Sequence, residues 1–406
     1  MKRIKIIGLF MLMATTICAA DELTLEQCIE AAVANNKSLV KNELGVQQTA
    51  IGTKTAYGNL LPSVSASASA SGGDGSSRSS ASLHINQKIY SPGLFSDIKL
   101  ARNETDIARL NYNELASQIR SEVETAYYNI LTAQSLLNVY RENLTAADEN
   151  LQLIQTMYKL GTKTESDVLK AEVQKAEIEN ELISQELEII KQKRALAILM
   201  GISPNQDYEI AKVNVEQIDI PSLTEAKELL FMNNYEYQSL LKSLKSEQIS
   251  LQIARESYLP SLSAGYSYSK DWTGSTTTDG YGSWGLSLNL GLFNGFSKKL
   301  NVQKSKLSLR SAEVSLEAKE QELLATLLNY YSNFENHNKV IALQEKNLES
   351  ARKDYELVTR QCELGLATML EQTNAQVSLL SAQTNLVEAQ YSRKIVESKI
   401  KQLLAL

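Results

Sequence analysis

Proline is scarce in this chain: five residues in 406, at Pro62, Pro92, Pro204, Pro221 and Pro260. Proline removes a backbone donor and clashes inside a helix, so the long stretches between these positions are free to be helical. Aromatic residues make up only 6 % of the chain and charged residues 22 %, a helix-rich balance. Histidine is nearly absent. His84 and His337 have no partner at metal-ligand spacing, so no metal centre is expected. No P-loop or dinucleotide fingerprint occurs. The reading is a protein without catalytic residues or cofactor, whose energy must come from a partner. The net charge of −6 is mild and lacks the concentrated Lys and Arg of a nucleic-acid binder. After Asp21 no run of 18 apolar residues occurs, which excludes a membrane-spanning helix.

Cysteine is also sparse: Cys18, Cys28 and Cys362. Residues 1–20 read as a secretory signal, with Lys2, Arg3 and Lys5, an apolar run, then Ala19-Ala20 before Asp21. Removing three positive charges takes the net charge from −6 to −9. Lipidation at Cys18 is disfavoured by the bulky Ile17 before it. Export permits a disulfide between Cys28 and Cys362, but two cysteines do not make a scaffold. The simpler reading is two small apolar side chains.

What the chain has is a duplication. "NNKSL" at Asn35–Leu39 returns as "NNYEY" at Asn233–Tyr237, and "LPSVSA" from Leu61 returns as "LPSLSA" from Leu259. "YKLGTKTESDVL" around Gly161 returns as "CELGLATMLEQT" around Gly365. A period of about 200 residues is too long for a solenoid unit and marks a duplicated half-molecule. The expected organisation is a first repeat over 21–201, a linker over 202–221 and a second repeat over 222–406. Each repeat reads helix, β-hairpin, very long helix, glycine turn, helix.

The first helix opens at Thr24 with Gln27 three residues on, a capping box, and is expected to run unbroken to about Tyr57. The second repeat opens alike at Ser222 with Glu225. "LPS" ends both helices, because the residue before proline leaves helical space. Strands are expected at about 63–71, 82–90, 261–270 and 283–292. Val64 to Ser71 alternates strictly. The return strand puts Leu83, Ile85 and Ile89 opposite His84, Asn86 and Lys88. In the second hairpin, Leu262, Ala264, Tyr266 and Tyr268 share a face, as do Trp284, Leu286, Leu288, Leu290 and Leu292. Period-two alternation is the mark of a strand with one apolar face.

The long helices carry heptad seams. Val123, Ala126, Ile130, Ala133, Leu137, Tyr140, Leu144, Ala147, Leu151, Ile154 and Tyr158 step by three and four. The second seam, from Leu323 to Val358, is interrupted by His337 and Gln344. A helix from Leu94 to Leu160 is about 100 Å long at 1.5 Å per residue. Gly161 and Gly365 end the two long helices as left-handed caps. Thr164 with Asp167, and Thr368 with Glu371, open the return helices, making antiparallel coiled coils.

Four amphipathic strands cannot close a barrel alone, and a lipid-facing sheet must close to satisfy its edges. Three copies would give twelve strands, within the range of membrane barrels. Tyr266, Tyr268, Trp272, Tyr281 and Trp284 cluster as an interfacial aromatic belt would. The weakly apolar Ala66, Ala68 and Ala70 leave open a soluble sheet packed on helices.

The duplicated order, the repeated "LPS", "YKLGTKTESDVLKAEV" and "ALAILMG" before Ile202 together resemble the TolC-type outer-membrane efflux proteins over nearly the whole mature chain. The resemblance implies a homotrimer in the outer membrane: a mainly α fold with a small β part, forming a trimeric α-helical barrel and a shared 12-stranded β-barrel. It implies the channel of a tripartite efflux or type I secretion system, docked onto a periplasmic adaptor and an inner-membrane pump. It also implies that the glycine turns narrow the tunnel at the periplasmic tip. Asp167 and Glu371 fall on the family's acidic positions, and three copies of each would form a cation-selective ring. The family's locking tyrosine and arginine are Cys362 and Ala367 here, so any lock is made differently, with Lys163 or Tyr158. Capping alone also accounts for both acids. Two alternatives remain from the residues themselves. A periplasmic adaptor would have one hairpin flanked by β-rich domains. A structural coiled-coil scaffold would need no consistently apolar strand face.

Overall fold

The computed structural model describes residues 22–73, 76–213, 220–273, 276–277 and 279–406. The expected signal segment with Cys18, and residues 214–219 of the expected linker, lie outside the described residues. In the first repeat the elements are α1 (Leu25–Asn35), α2 (Lys37–Gly58), β1 (Ser63–Gly73), β2 (Ser76–Tyr90), α3 (Leu94–Lys159) and α4 (Glu165–Leu199). The second repeat has α5 (Leu223–Asn233), α6 (Tyr235–Glu256), β3 (Ser261–Thr273), β4 (Thr276–Thr277), β5 (Tyr281–Asn289), α7 (Ser297–Glu363) and α8 (Met369–Leu404).

The opening helix is not continuous to Tyr57. It breaks at Asn36, which leaves helical geometry at φ −61°, ψ 126° and serves as C-cap of α1 and N-cap of α2. Its Oδ1 accepts from the Ser38 and Leu39 amides at 2.9 and 3.4 Å, competing successfully with the helical ladder. Its Nδ2 donates to the Leu199 carbonyl at 2.9 Å, tying the break to the end of α4. Asn234 repeats the device: Oδ1 accepts from Tyr237 at 2.8 Å, and Nδ2 donates to the Leu403 carbonyl at 2.9 Å. The second asparagine of each "NN" pair is the residue that turns the chain.

Two apolar cores lie around these breaks. The larger gathers Leu39 from α2, Val123, Tyr127 and Ile130 from α3, and Leu196 and Met200 from the end of α4. The Tyr127 hydroxyl donates to the Ala211 carbonyl at 2.6 Å and sits 3.0 Å from that of Leu23. In the second core, Leu230, Leu327, Ile400 and Leu404 pack with Tyr331, whose hydroxyl donates to the Pro221 carbonyl at 2.7 Å. Each fully buried leucine or isoleucine here contributes about 1.5–3 kcal/mol. Cys28 is buried in the first core and Cys362 at the far helical turn, and both thiols are free. The disulfide reading is therefore set aside, and burial pushes the Cys28 thiol up to about 12.

The strands form one antiparallel sheet in the order β1-β2-β3-β5, with the short β4 pairing antiparallel with the end of β3. Cross-strand register aligns Val64, Ile85, Tyr266 and Trp284 in one row, and Ser65, His84, Ser267 and Ser283 in the next. One face is thus apolar, and Trp284 on it is 81 % exposed in the single chain. The other face is mostly serine. Ser67 pairs with Ser82, Ser69 with Ser80 and Ser267 with Ser283, each hydroxyl pair at 2.8 Å. His84 sits within this ladder, its Nε2 3.0 Å from Ser82 Oγ.

Strict alternation misplaces two details. A bulge between Lys88 and Tyr90 puts Tyr90, not Ile89, opposite Leu262 on the apolar side. The last strand stops at Asn289 rather than about 292, because its partner Ser261 follows Pro260, which has no amide to donate to a further rung.

Candidate functional site

The four long helices meet in two hairpin turns at the end of the molecule remote from the sheet. Both turns have the same construction. Gly161 and Gly365 take φ of 77° and 73°, a conformation glycine reaches without a Cβ penalty. The Thr162 amide donates to the Met157 carbonyl at 3.0 Å, and Leu366 to Gln361 at 2.8 Å, satisfying the last carbonyls of α3 and α7.

The return helices start on reciprocal boxes. The Asp167 amide donates to Thr164 Oγ1 at 3.3 Å, while Asp167 Oδ2 accepts from the Thr164 amide and hydroxyl at 3.0 and 2.8 Å. Glu371 repeats this with Thr368: its amide donates at 3.2 Å, and its Oε2 accepts at 2.7 and 2.9 Å. The Thr164 backbone bond, then its hydroxyl, hold the Asp167 carboxyl below the usual range, with Lys163 and Lys170 adding smaller attractions. Thr368 does the same for Glu371. Both groups are ionised at neutral pH. In each carboxylate the cap uses one oxygen. The second, Oδ1 or Oε1, makes no protein hydrogen bond among the described residues.

The remaining expected residues divide. Lys163 reaches across from the first turn, its Nζ 3.6 Å from Cys362 Sγ on α7. Cys362 is only 3 % exposed, whereas Tyr158, its counterpart in the first repeat, is exposed and joins no such contact. A small apolar cluster of Ile154, Ala171 and Met369 holds the two hairpins together just above the turns.

Next to that cluster runs a polar seam that the sequence reading did not single out. Gln174 Nε2 donates to Gln376 Oε1 at 2.6 Å, and Thr373 Oγ1 to Gln174 Oε1 at 3.2 Å. Gln372 Nε2 donates to Asn150 Oδ1 at 3.2 Å, and Asn143 Nδ2 to Gln383 Oε1 at 2.9 Å. Gln174, Gln372 and Gln376 are all buried. Their signal is spacing: Ala171, Gln174 and Ile178 step by three and four along α4, as do Gln372, Ala375 and Leu379 along α8. The two hairpins therefore meet partly through amides rather than through an unbroken apolar stripe.

The turns also present apolar surface. Leu160, Leu364, Leu366 and Leu370 are exposed, Leu364 to 74 %. At the opposite end, register separates the five aromatics. Tyr266, Tyr268, Trp272 and Trp284 lie on the apolar face, while Tyr281 pairs with Ser269 and shares the serine face. The odd spacing of Tyr281 and Trp284 along β5 already requires opposite sides.

Comparison with known proteins follows the same outline. The family model for "Outer membrane efflux protein" matches residues 28–202 and 231–406. Outer membrane protein TolC of Vibrio cholerae is 23 % identical over 327 residues, covering 77 % of this chain and 73 % of its own. TolC of Escherichia coli is 22 % identical over 344 residues, covering 80 % and 69 %. The solved structure of CusC superposes with a TM-score of 0.86 at 17 % identity, covering 94 % of this chain and 91 % of that one.

Proposed function

The chain belongs to the outer membrane efflux protein family, and on that premise we propose that it is one third of a closed conduit. Family members are channels of tripartite efflux and type I secretion systems, and this chain is an outer-membrane channel of that kind. It conducts passively, with no cofactor.

Trimer formation is supported chiefly by the unequal surroundings of equivalent helices. In the first repeat α3 packs on its own α2 and α4 and on α6 and α8 of the second. Its counterpart α7 packs on its own α6 and α8, with no comparable packing from α2 or α4 among the described residues. The bare side of α7 carries Leu300, Leu307 and Val314, with Leu307 73 % exposed. The bare sides of α2 and α4 carry Leu44, Ile51, Ile183 and Leu187. By the internal repeat, α2 and α4 of a second copy belong against α7. The free edges of β1 and β5 ask for the same neighbour, since an open edge is untenable in lipid. Four strands from each of three copies close a twelve-stranded barrel, within the known range. The apolar face then meets lipid and the serine face lines water.

At the far end, three copies bring Asp167 and Glu371 around one opening as six ionised carboxylates. The oxygens left over by the caps favour cations there. The Lys163–Cys362 contact stands where the family's lock would be and joins the two hairpins. The exposed leucines of the turns offer the docking surface for a periplasmic adaptor, through which an inner-membrane pump supplies cargo and energy.

The test is the native mass of the mature protein extracted in detergent. Three chains are expected. A monomer stable without detergent would overturn the conduit in favour of a coiled-coil scaffold.

A further inference from the structure

Among the described strand residues, the apolar face of the sheet carries one charge. Along β3 the residues on that side are Leu262, Ala264, Tyr266, Tyr268, Lys270 and Trp272, and none of their cross-strand partners on β1, β2, β4 or β5 is charged. Lys270 lies 5.9 Å from the Trp272 ring centroid, and no carboxylate pairs with it among the described residues. A lone cation on a lipid-facing surface is costly at mid-bilayer and tolerable only near the headgroups.

Its depth fits the second case. From Leu262 to Lys270 is eight residues, about 27 Å along a strand and about 20 Å of height at a barrel's usual tilt. The ammonium therefore stands at the end of the apolar band nearer the hairpin turns, away from the helices. In a bacterial outer membrane that side is the outer leaflet, whose saccharolipid carries phosphates at headgroup depth.

Beside Lys270 the surface is hollow. Its register partner is Ala81, which pairs in turn with Ala68, so no large side chain fills that row. Ala66 extends the floor, Leu83 and Tyr268 form one wall, and Trp272 forms the other. The hollow is apolar, open along its length and capped by the amine. An alkyl chain fits the floor, and an anion fits the cap.

We propose that this hollow binds a phosphorylated outer-leaflet lipid of the lipid A type, with one acyl chain over Ala66, Ala68 and Ala81 and a phosphate on Lys270. The site rests on the barrel reading above, which puts this face in the membrane. Lys270 then gains the counter-ion that the chain does not supply, and Trp272 shields the pair from water.

Native mass spectrometry of the detergent-solubilised protein tests both levels at once, with hexa-acylated bisphosphoryl lipid A and phosphatidylethanolamine as probes. Up to three saturable lipid A adducts per trimer are expected, with no saturable binding of the zwitterionic lipid. Lys270→Gln is expected to weaken lipid A binding about tenfold, the usual loss of one charge-assisted contact. Ala68→Phe fills the hollow and is expected to remove the adducts, while the trimer mass in the same spectrum reports intact assembly. Unchanged lipid A binding by Lys270→Gln, or equal binding of phosphatidylethanolamine, would overturn the site. A trimer without saturable lipid would also overturn the site but leave the conduit standing. A monomer would overturn both.

Discussion

The long helices α3 and α7 have the same place in their repeats and nearly the same length, 66 and 67 residues. Twenty residues of α3 are buried and six of α7. His337 and Gln344 interrupt the α7 seam, but two polar positions do not account for fourteen fewer buried residues. The difference is in company: α3 has helices of both repeats packed around it, and α7, among the described residues, mainly those of its own. On the trimer reading proposed above, a duplicated chain that buries one copy of an element and leaves the other bare has neighbours still to come, and the exposed leucines of α7 are an interface rather than a liability.

The largest expected effect strikes that interface. Leu307→Arg puts a charge on the bare side of α7 and is expected to shift the native mass from three chains to one. The far-UV dichroism of the fold is expected to remain, because Leu307 touches no core within the chain. Retained assembly would mean that α2 and α4 are not the missing neighbours.

The repeats also differ at their last turns. Gly201 ends the first repeat at φ 69°, and a Cβ there would lie 2.5 Å from the Asn35 carbonyl oxygen. Its counterpart in the second repeat is Ala405, at φ 53°. Gly201→Ala is expected to cost about 2–4 kcal/mol, from left-handed strain plus the collision. Ala405→Gly is expected to move stability the other way by up to about 1 kcal/mol. Thermal midpoints of the two variants in the same detergent check the opposite signs.

Asn36→Ala and Asn234→Ala sharpen the likeness of the repeats. Each removes an N-cap and a tie to the closing helix, at about 1–2 kcal/mol per site. Thermal midpoints should fall similarly for both. A large disparity would show that one repeat relies on the break more than the other.

The smallest effect on stability, and the most informative for conduction, is at the turns. Asp167→Asn with Glu371→Gln is expected to lower cation preference, read as a smaller reversal potential under a salt gradient in bilayers. Unchanged selectivity would leave capping as the whole role of these acids. Both carboxyls are held below their unfolded range, so their contribution is present at neutral pH. It is lost only as pH falls through the lowered native values. Hydrogen exchange of the first turns of α4 and α8 should therefore stay slow through mild acid and quicken only below the ordinary carboxylate range.

Local chemistry was legible in the chain. The capping boxes at Thr24, Thr164 and Thr368, the left-handed Gly161 and Gly365 and the strand faces all follow from residues a few positions apart. The break at Asn36 was missed: the repeated asparagine pair marks it, but good helix formers on both sides hide it. Register and ends of strands were less so, because the bulge before Tyr90 and the stop at Asn289 depend on the partner strand. The amide seam of Gln174, Gln372 and Gln376 joins residues about 200 positions apart, and polar residues at seam spacing look like surface until the second hairpin arrives. The unequal burial of α3 and α7 has only a faint trace in the sequence, the His337 and Gln344 that interrupt the second seam.

The serine pairs of the sheet have a further consequence. Each cross-strand hydroxyl pair uses one of its two donors within the wall and leaves the other to water. Ser67 with Ser82, Ser69 with Ser80 and Ser267 with Ser283 are each occupied in this way. In the conduit proposed above, the serine rows would make a wet wall of weak grip, and His84, Arg78 and Asp271 would be among the side chains on it that cargo meets.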